Sequence, residues 1–167
     1  MIVRDGVADN YASIWRYALS LTGKRDHADD LAQAACLKAI ENHWQFVPDT
    51  KIKNWLFRIA HNLWISELRR QKVRTGNGLV GIETAEIHDP RLDLYSQIEN
   101  AELMAAVLGL PEAQRATSIL VYAQGFSYSE AAEILDIPIG TVMSRLAAAR
   151  KALALRLNGS KDKRDAS

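Results

Sequence analysis

A single cysteine, Cys36, occurs in 167 residues, so the chain has no internal disulfide and no multi-cysteine metal site. Its four histidines, His27, His43, His61 and His88, are scattered, and none forms a metal pair of the H-E-x-x-H kind. No Gly-rich phosphate loop and no nucleophile–base constellation is present. The sequence therefore offers no catalytic, cofactor-binding or metal-ligating residue and does not read as an enzyme. Long apolar runs are also missing. The stretch Ala34–Leu37 is cut by Lys38, far short of the roughly 20 residues of a membrane helix, and no membrane insertion is expected. Met1-Ile2-Val3-Arg4-Asp5 lacks the basic and then apolar pattern of a secretory leader. With the lone thiol, this leads to the expectation of a cytoplasmic protein. Convincing period-two strand patterns are absent as well, leaving an all-α reading.

Net charge is only +1, but it is unevenly distributed. Residues 1–75 carry +4, residues 76–109 carry −5 and residues 110–167 carry +2. Between Lys51 and Arg74 there are seven basic side chains against Glu67 alone. Such a segment can neutralise phosphates, although a solvated helix face would have the same composition.

Apolar spacing predicts a helix over Tyr11–Leu21 stopped by Gly23, and a second from an Asp26 N-cap to about His43. Phe46–Thr50, with Pro48, reads as a loop. A long helix follows from Lys51 to Arg70. Residues 75–93 hold Gly76, Gly78, Gly81 and Pro90 among acidic side chains, the pattern of a flexible acidic linker. Helical pattern resumes near Leu94 and stops at Gly109-Leu110-Pro111. Further helices are expected over Glu112–Gln124, Tyr128–Leu135 and Ile139–Leu157, before a disordered tail, Gly159–Ser167. The expected architecture is two small helical domains, residues 1–74 and 94–158, joined by the linker.

The second domain carries the more specific signal. Ser127-Tyr128-Ser129-Glu130 has the form of a capping box. A short turn at Asp136 and Pro138 at the next helix start complete a helix-turn-helix layout. On the second helix Val142, Leu146, Ala149 and Leu153 form one apolar stripe. Thr141, Ser144, Arg145 and Ala148 share another face, suited to hydrogen bonds in a major groove or simply the surface face of a helical bundle, and Arg150, Lys151 and Arg156 suit the phosphate backbone.

In the first domain, Asp26, Asp29, Asp30 and Gln33 share one helix face. They fit an acidic docking surface for a basic partner, or simply a first turn that offsets the helix dipole. The long helix is apolar on two sides: Ile52, Trp55, Leu56, Ile59 and Leu63 on one, Phe57, Trp64 and Leu68 on the other. Such a helix is sandwiched between neighbours, yet mixed aromatic and basic side chains also grip unstacked bases. The sequence leaves open how Trp44, Trp55, Phe57 and Trp64 divide between these uses.

Asp26–Gln33 and the later Asn54–Asn62 segment resemble the second conserved region of extracytoplasmic-function (ECF, group IV) RNA polymerase sigma factors of the sigma-70 family. Leu110–Arg115, Gly125–Ala132 and Ile137–Leu146 resemble the fourth. The resemblance spans nearly all of the chain except the linker and tail. It implies a factor that brings core RNA polymerase to specific promoters, recognises and melts promoter DNA, and has no catalysis of its own. It implies that Asp29, Asp30 and Gln33 dock on the polymerase clamp. It implies that the loop Phe46–Thr50, including Phe46 and Asp49, captures a flipped base of the minus-ten element, with Lys51, Asn54, Arg58, Asn62 and Arg69 holding DNA beside it. Thr141, Ser144, Arg145 and Arg150 would serve the minus-thirty-five element. An anti-sigma factor is an implied partner, and the free chain is expected to be a monomer. The chain departs from the family pattern at Ala34, where a glutamate is frequent, and at Met143 and Ala148, where polar or basic residues are common.

Two other classes fit parts of the pattern. A sigma mimic would bind an anti-sigma factor without touching DNA, but 167 residues leave no room for a receiver domain and the basic segment argues against it. A helix-turn-helix repressor would bind an operator without polymerase, usually as a dimer.

Overall fold

The computed structural model describes residues 1–75 and 101–166. In chain order the helices are α1 (Ile2–Thr22), α2 (Arg25–Glu41), a 3-10 turn (His43–Gln45), α3 (Ile52–Thr75), α4 (Ala101–Leu108), α5 (Glu112–Ser118), a π-helical segment (Ile119–Ala123), α6 (Tyr128–Leu135) and α7 (Ile139–Asp165). Among the described residues there is no strand, and the all-α expectation holds. The expected linker lies outside the described residues except for Thr75, which ends α3, and so do residues 94–100 of the helix expected from Leu94.

Three boundaries differ from expectation. Helix α1 begins at Ile2, not near Tyr11. Val3, Val7, Ile14 and Tyr17 line its buried side, but Gly6 weakens the helical signal between them. That glycine allows close approach of α3: a Cβ at position 6 would lie 2.6 Å from Ile52 Cδ1. Helix α2 is capped by Lys24, not Asp26, so the Asp26 carboxylate acts on the dipole from within the first turn. Helix α7 runs to Asp165 where a disordered tail from Gly159 was expected. An internal glycine costs about 1 kcal/mol relative to alanine, too little to stop an already nucleated helix, and Lys161 and Lys163 suit its C-terminal end.

The turns follow local chemistry. Gly23, at φ 68, closes α1 and returns its N–H to Leu19 O. Pro48 sits second in the tight turn Val47–Thr50, in which the Thr50 N–H and hydroxyl both bond Val47 O, at 3.0 and 2.7 Å.

One apolar core runs through both domains. Tyr17 of α1 packs on Phe57 of α3 with ring centroids 5.2 Å apart, and Phe57 meets Phe126, before α6, edge-on at 5.0 Å. Each such ring contributes roughly 1.5–3 kcal/mol by burial. Polar links cross the same boundary. Arg115 of α5 is 1% exposed and donates to Leu108 O at 3.0 Å and to Leu21 O, at the end of α1, at 3.2 Å. Trp64 Nε1 of α3 donates to Glu112 Oε1 at 3.1 Å. The two apolar sides of α3 are thus explained: its second stripe is covered partly by the other domain.

Candidate nucleic-acid interface

The entrance to α3 gathers aromatic and basic groups. Phe46 follows the 3-10 turn and packs on Trp55 with the rings tilted, centroids 5.4 Å apart. Trp44 is 72% exposed, whereas Phe57 and Trp64 are buried. The aromatic question left open by the sequence therefore resolves by position: Phe57 and Trp64 belong to the core, Trp55 and Phe46 pack on each other, and Trp44 is presented to solvent. Asp49 is exposed in the turn before α3. Along α3, Lys51, Asn54, Arg58, Asn62 and Arg69 fall on one stripe of the helical repeat. All are exposed except Asn54, which is half-buried. A linear row of donors and cations suits a nucleic-acid backbone.

The helix-turn-helix forms as its residues dictate. Ser127 Oγ accepts the Glu130 N–H at 3.1 Å and Glu130 Oε1 accepts the Ser127 N–H at 3.3 Å, a complete capping box. Asp136 takes the left-handed conformation, φ 54, one that Asp tolerates better than most side chains. Pro138 O then accepts the N–H groups of Thr141 and Val142 at the start of α7. Val142, Leu146 and Ala149 are fully buried, anchoring α7, and Leu153 is half-buried. On the facing side Ser144 is exposed, with its hydroxyl on Thr141 O at 3.1 Å, and Thr141 and Arg145 are half-buried. Arg150 is exposed and donates to the Tyr122 hydroxyl at 2.7 Å. Hydrogen bonding to Tyr122 and then Tyr128 raises its pKa.

Helix α2 supplies the third surface. Asp26, Asp30 and Gln33 are exposed, and Leu37 farther along is 57% exposed. Asp29 is half-buried and accepts a 2.6 Å hydrogen bond from Trp15 Nε1. It therefore has a structural task in joining α1 to α2.

Two of the predicted DNA-directed groups, Asn54 and Lys51, are brought against the other domain, and the charge of a third, Arg145, acts across the same boundary. Glu130 Oε2 accepts from Asn54 Nδ2 at 2.9 Å and from Lys51 Nζ at 3.4 Å. Arg145 of α7 acts electrostatically on His61 of α3: burial first, and then the Arg145 charge, lower the imidazole pKa to about 4. Sequence reasoning found Glu130 as a cap but not as an interdomain acceptor. It also missed the burial of Arg115 and the support of Arg150 by two tyrosines. Only the capping-box spacing pointed toward any of these.

Comparison with known proteins places both helical domains in one family. Residues 7–74 match the family model for sigma-70 region 2, and residues 100–153 match that for sigma-70, region 4. An ECF RNA polymerase sigma factor, EcfG of Rhodopseudomonas palustris, is 36% identical over 164 residues, covering 96% of this chain and 88% of that protein. The chain belongs to the ECF sigma factors of the sigma-70 family. It is a sigma factor directing RNA polymerase to promoters. A second relative, the ECF sigma factor SigW of Bacillus subtilis, is 32% identical over 159 residues, covering 86% of this chain and 82% of its own. Among solved structures, the sigma factor RpoE of Bartonella quintana, in complex with the anti-sigma factor NepR, matches with TM-score 0.76 and 33% identity, covering 89% of this chain and 91% of that one. The region 2 match runs from within α1 to the last turn of α3, and the region 4 match takes in α4 and ends within α7. Among the described residues no cluster of His, Cys, Asp and Glu could hold a metal, and no helix is long and apolar enough to cross a membrane.

Proposed function

We propose that this sigma factor, of the group IV type, recognises two promoter elements with its two domains and helps to part the strands at the nearer one. The division into a region 2 domain over 1–74, a connecting segment over 75–93 and a region 4 domain over 94–158 follows from this reading. The observation that carries it is the presence, on one chain, of two DNA-suited surfaces of different kinds. On α3 a row of Lys51, Asn54, Arg58, Asn62 and Arg69 continues from the Phe46–Thr50 loop. On α7 Ser144 is exposed and Thr141 and Arg145 are half-buried on the second helix of a helix-turn-helix, with Arg150 exposed farther along. The first holds the minus-ten element, with Phe46 and Asp49 at the place where a base leaves the stack. The second reads the minus-thirty-five element in the major groove, with Arg150 on the backbone. Asp30 and Gln33, with Asp29 beside them, form the face that docks on core RNA polymerase. By analogy with the NepR-bound relative, an anti-sigma factor is the regulatory partner. The setting is the cytoplasm, and the free chain is a monomer.

The test is in vitro transcription with purified core RNA polymerase on fragmented genomic DNA, followed by sequencing of transcript starts. Defined starts that share two spaced upstream motifs are expected. Absence of specific starts with active core enzyme and folded protein would turn the assignment toward a mimic that only binds an anti-sigma factor.

A further inference from the structure

Two large apolar side chains stand exposed in the first turns of α7, Ile139 at 46% and Met143 at 49%. They are four residues apart and so share one side of the helix. Val142, Leu146 and Ala149 set the buried side. The helical repeat places Gly140, Ser144, Ala147 and Lys151 opposite it, with Met143 beside them, and all of these are exposed. The opening of this outer face is poor in hydrogen-bonding groups. Its one hydroxyl, on Ser144, donates to Thr141 O at 3.1 Å. Arg145 is half-buried, and Arg150 donates to Tyr122. A single exposed apolar side chain needs no explanation, but this pair occupies the turns that reach base edges in a helix-turn-helix. Of the groups that base pairs present in a major groove, the C5-methyl of thymine is the apolar one. Resting on the assignment of α7 to the minus-thirty-five element, we propose that Met143, flanked by Ile139, is a specificity-determining residue that packs on a thymine C5-methyl, so that this element contains a thymine read through its methyl group.

Three features suit this contact. The methionine side chain is unbranched and polarizable, so it can adapt its shape to a methyl group. Its neighbours on the outer face are small: a Cβ added at Gly140 would meet nothing within 4 Å, and Ala147 follows one turn beyond Met143. The helix backbone can therefore come close to the groove floor, and a side chain of moderate reach touches a base edge. Met143 also disfavours cytosine, the other pyrimidine. Cytosine has no methyl and presents its N4 amino donor instead. Against Met143 that donor would lose water and gain only a thioether, a weak acceptor.

The test uses holoenzyme and duplex promoter fragments chosen from mapped transcript starts, with affinity read by competition against a labelled fragment. Each thymine of the minus-thirty-five element, on either strand, is replaced in turn by deoxyuridine. This base lacks the C5-methyl and keeps every hydrogen-bonding group of thymine. At one position wild-type affinity should fall about four-fold, the scale of one buried methyl group. Met143→Ala, at an exposed position and with unchanged circular dichroism, should bind thymine and deoxyuridine there equally. Wild-type affinity that is unchanged by every deoxyuridine overturns the proposal, and so does an equal loss in Met143→Ala. An element without thymine on either strand overturns it as well. A fragment with the whole minus-thirty-five element scrambled separates the two readings. If scrambling weakens binding while deoxyuridine does not, α7 still reads the element and only the methyl contact falls. If scrambling has no effect, the assignment of α7 falls and the methyl contact falls with it.

Discussion

The Tyr17 hydroxyl lies 3.1 Å from Nδ1 of His61, a contact between α1 and α3 with both side chains buried. Burial, and then the charge of Glu112, hold Tyr17 well above its usual pKa, so the phenol stays neutral. Burial, and then the charge of Arg145, hold His61 at about 4. The folded state thus prefers the uncharged imidazole, and the unfolded chain binds more protons below the ordinary value of about 6.5. Stability is full above that value and is lost as pH falls toward 4. Between pH 7 and pH 5 this single site should remove about 2 kcal/mol. Urea unfolding at the two pH values measures it, and His61→Gln should flatten this part of the pH dependence while lowering stability at pH 7. A wild-type unfolding free energy that does not change from pH 7 to pH 5 would contradict the buried neutral imidazole.

Arg115 is a fully sequestered cation that binds carbonyls of two domains, Leu108 O and Leu21 O. Burial lowers its pKa, with Glu112 acting in the opposite sense. Arg115→Ala should cost about 3 kcal/mol, from two charge-assisted bonds and a cavity. Thermal melting is the check, and a change below about 0.5 kcal/mol, the range of ordinary surface substitutions, would show that these bonds contribute little.

Much of the helix-turn-helix was legible in the sequence because its determinants are local. Ser127 and Glu130 announce the cap three residues apart, Asp136 marks the turn, and Val142, Leu146 and Ala149 repeat at the helical period. The start of α1 was not legible, since Gly6 interrupts the helical signal and its close approach to Ile52 of α3 leaves no spacing to read. The two apolar sides of α3 announced a sandwiched helix, but no periodicity could name Phe126 and Glu112 as what covers it. Interdomain contacts depend on side chains far apart in the chain, and their partners leave no spacing to read. The second oxygen of Glu130 was missed for the same reason.

The acidic face of α2 separates into a structural and an exposed part. Asp29 is bonded to Trp15, whereas Asp30 and Gln33 are exposed. Asp30→Ala with Gln33→Ala should weaken binding to core polymerase several-fold while leaving the melting temperature within the range of ordinary surface substitutions. Asp29→Ala should lower stability by about 1–2 kcal/mol through the lost tryptophan bond. Pull-down titration with core enzyme, alongside calorimetry, distinguishes them. Unchanged core binding by the double variant would leave the α2 face as a dipole device only.

Arg145→Ala, measured in holoenzyme on a promoter mapped by transcript starts, should weaken recognition by about 1–3 kcal/mol, the scale of one base contact. Equal affinity of variant and wild type would remove Arg145 from the reading face and leave its action on His61 as its role.

Phe57 and Phe126 touch edge-on across the domain boundary, at 0% and 5% exposure. A chain that parts its domains to span two promoter elements carries both rings into water unless another surface takes them. The open, unengaged chain is then the species on which proteases and self-association act, and its population sets the rate of loss. The lifetime of this protein in a cell should accordingly follow its occupancy: copies held by a partner or tightly closed persist, and idle copies disappear in proportion to how often they open.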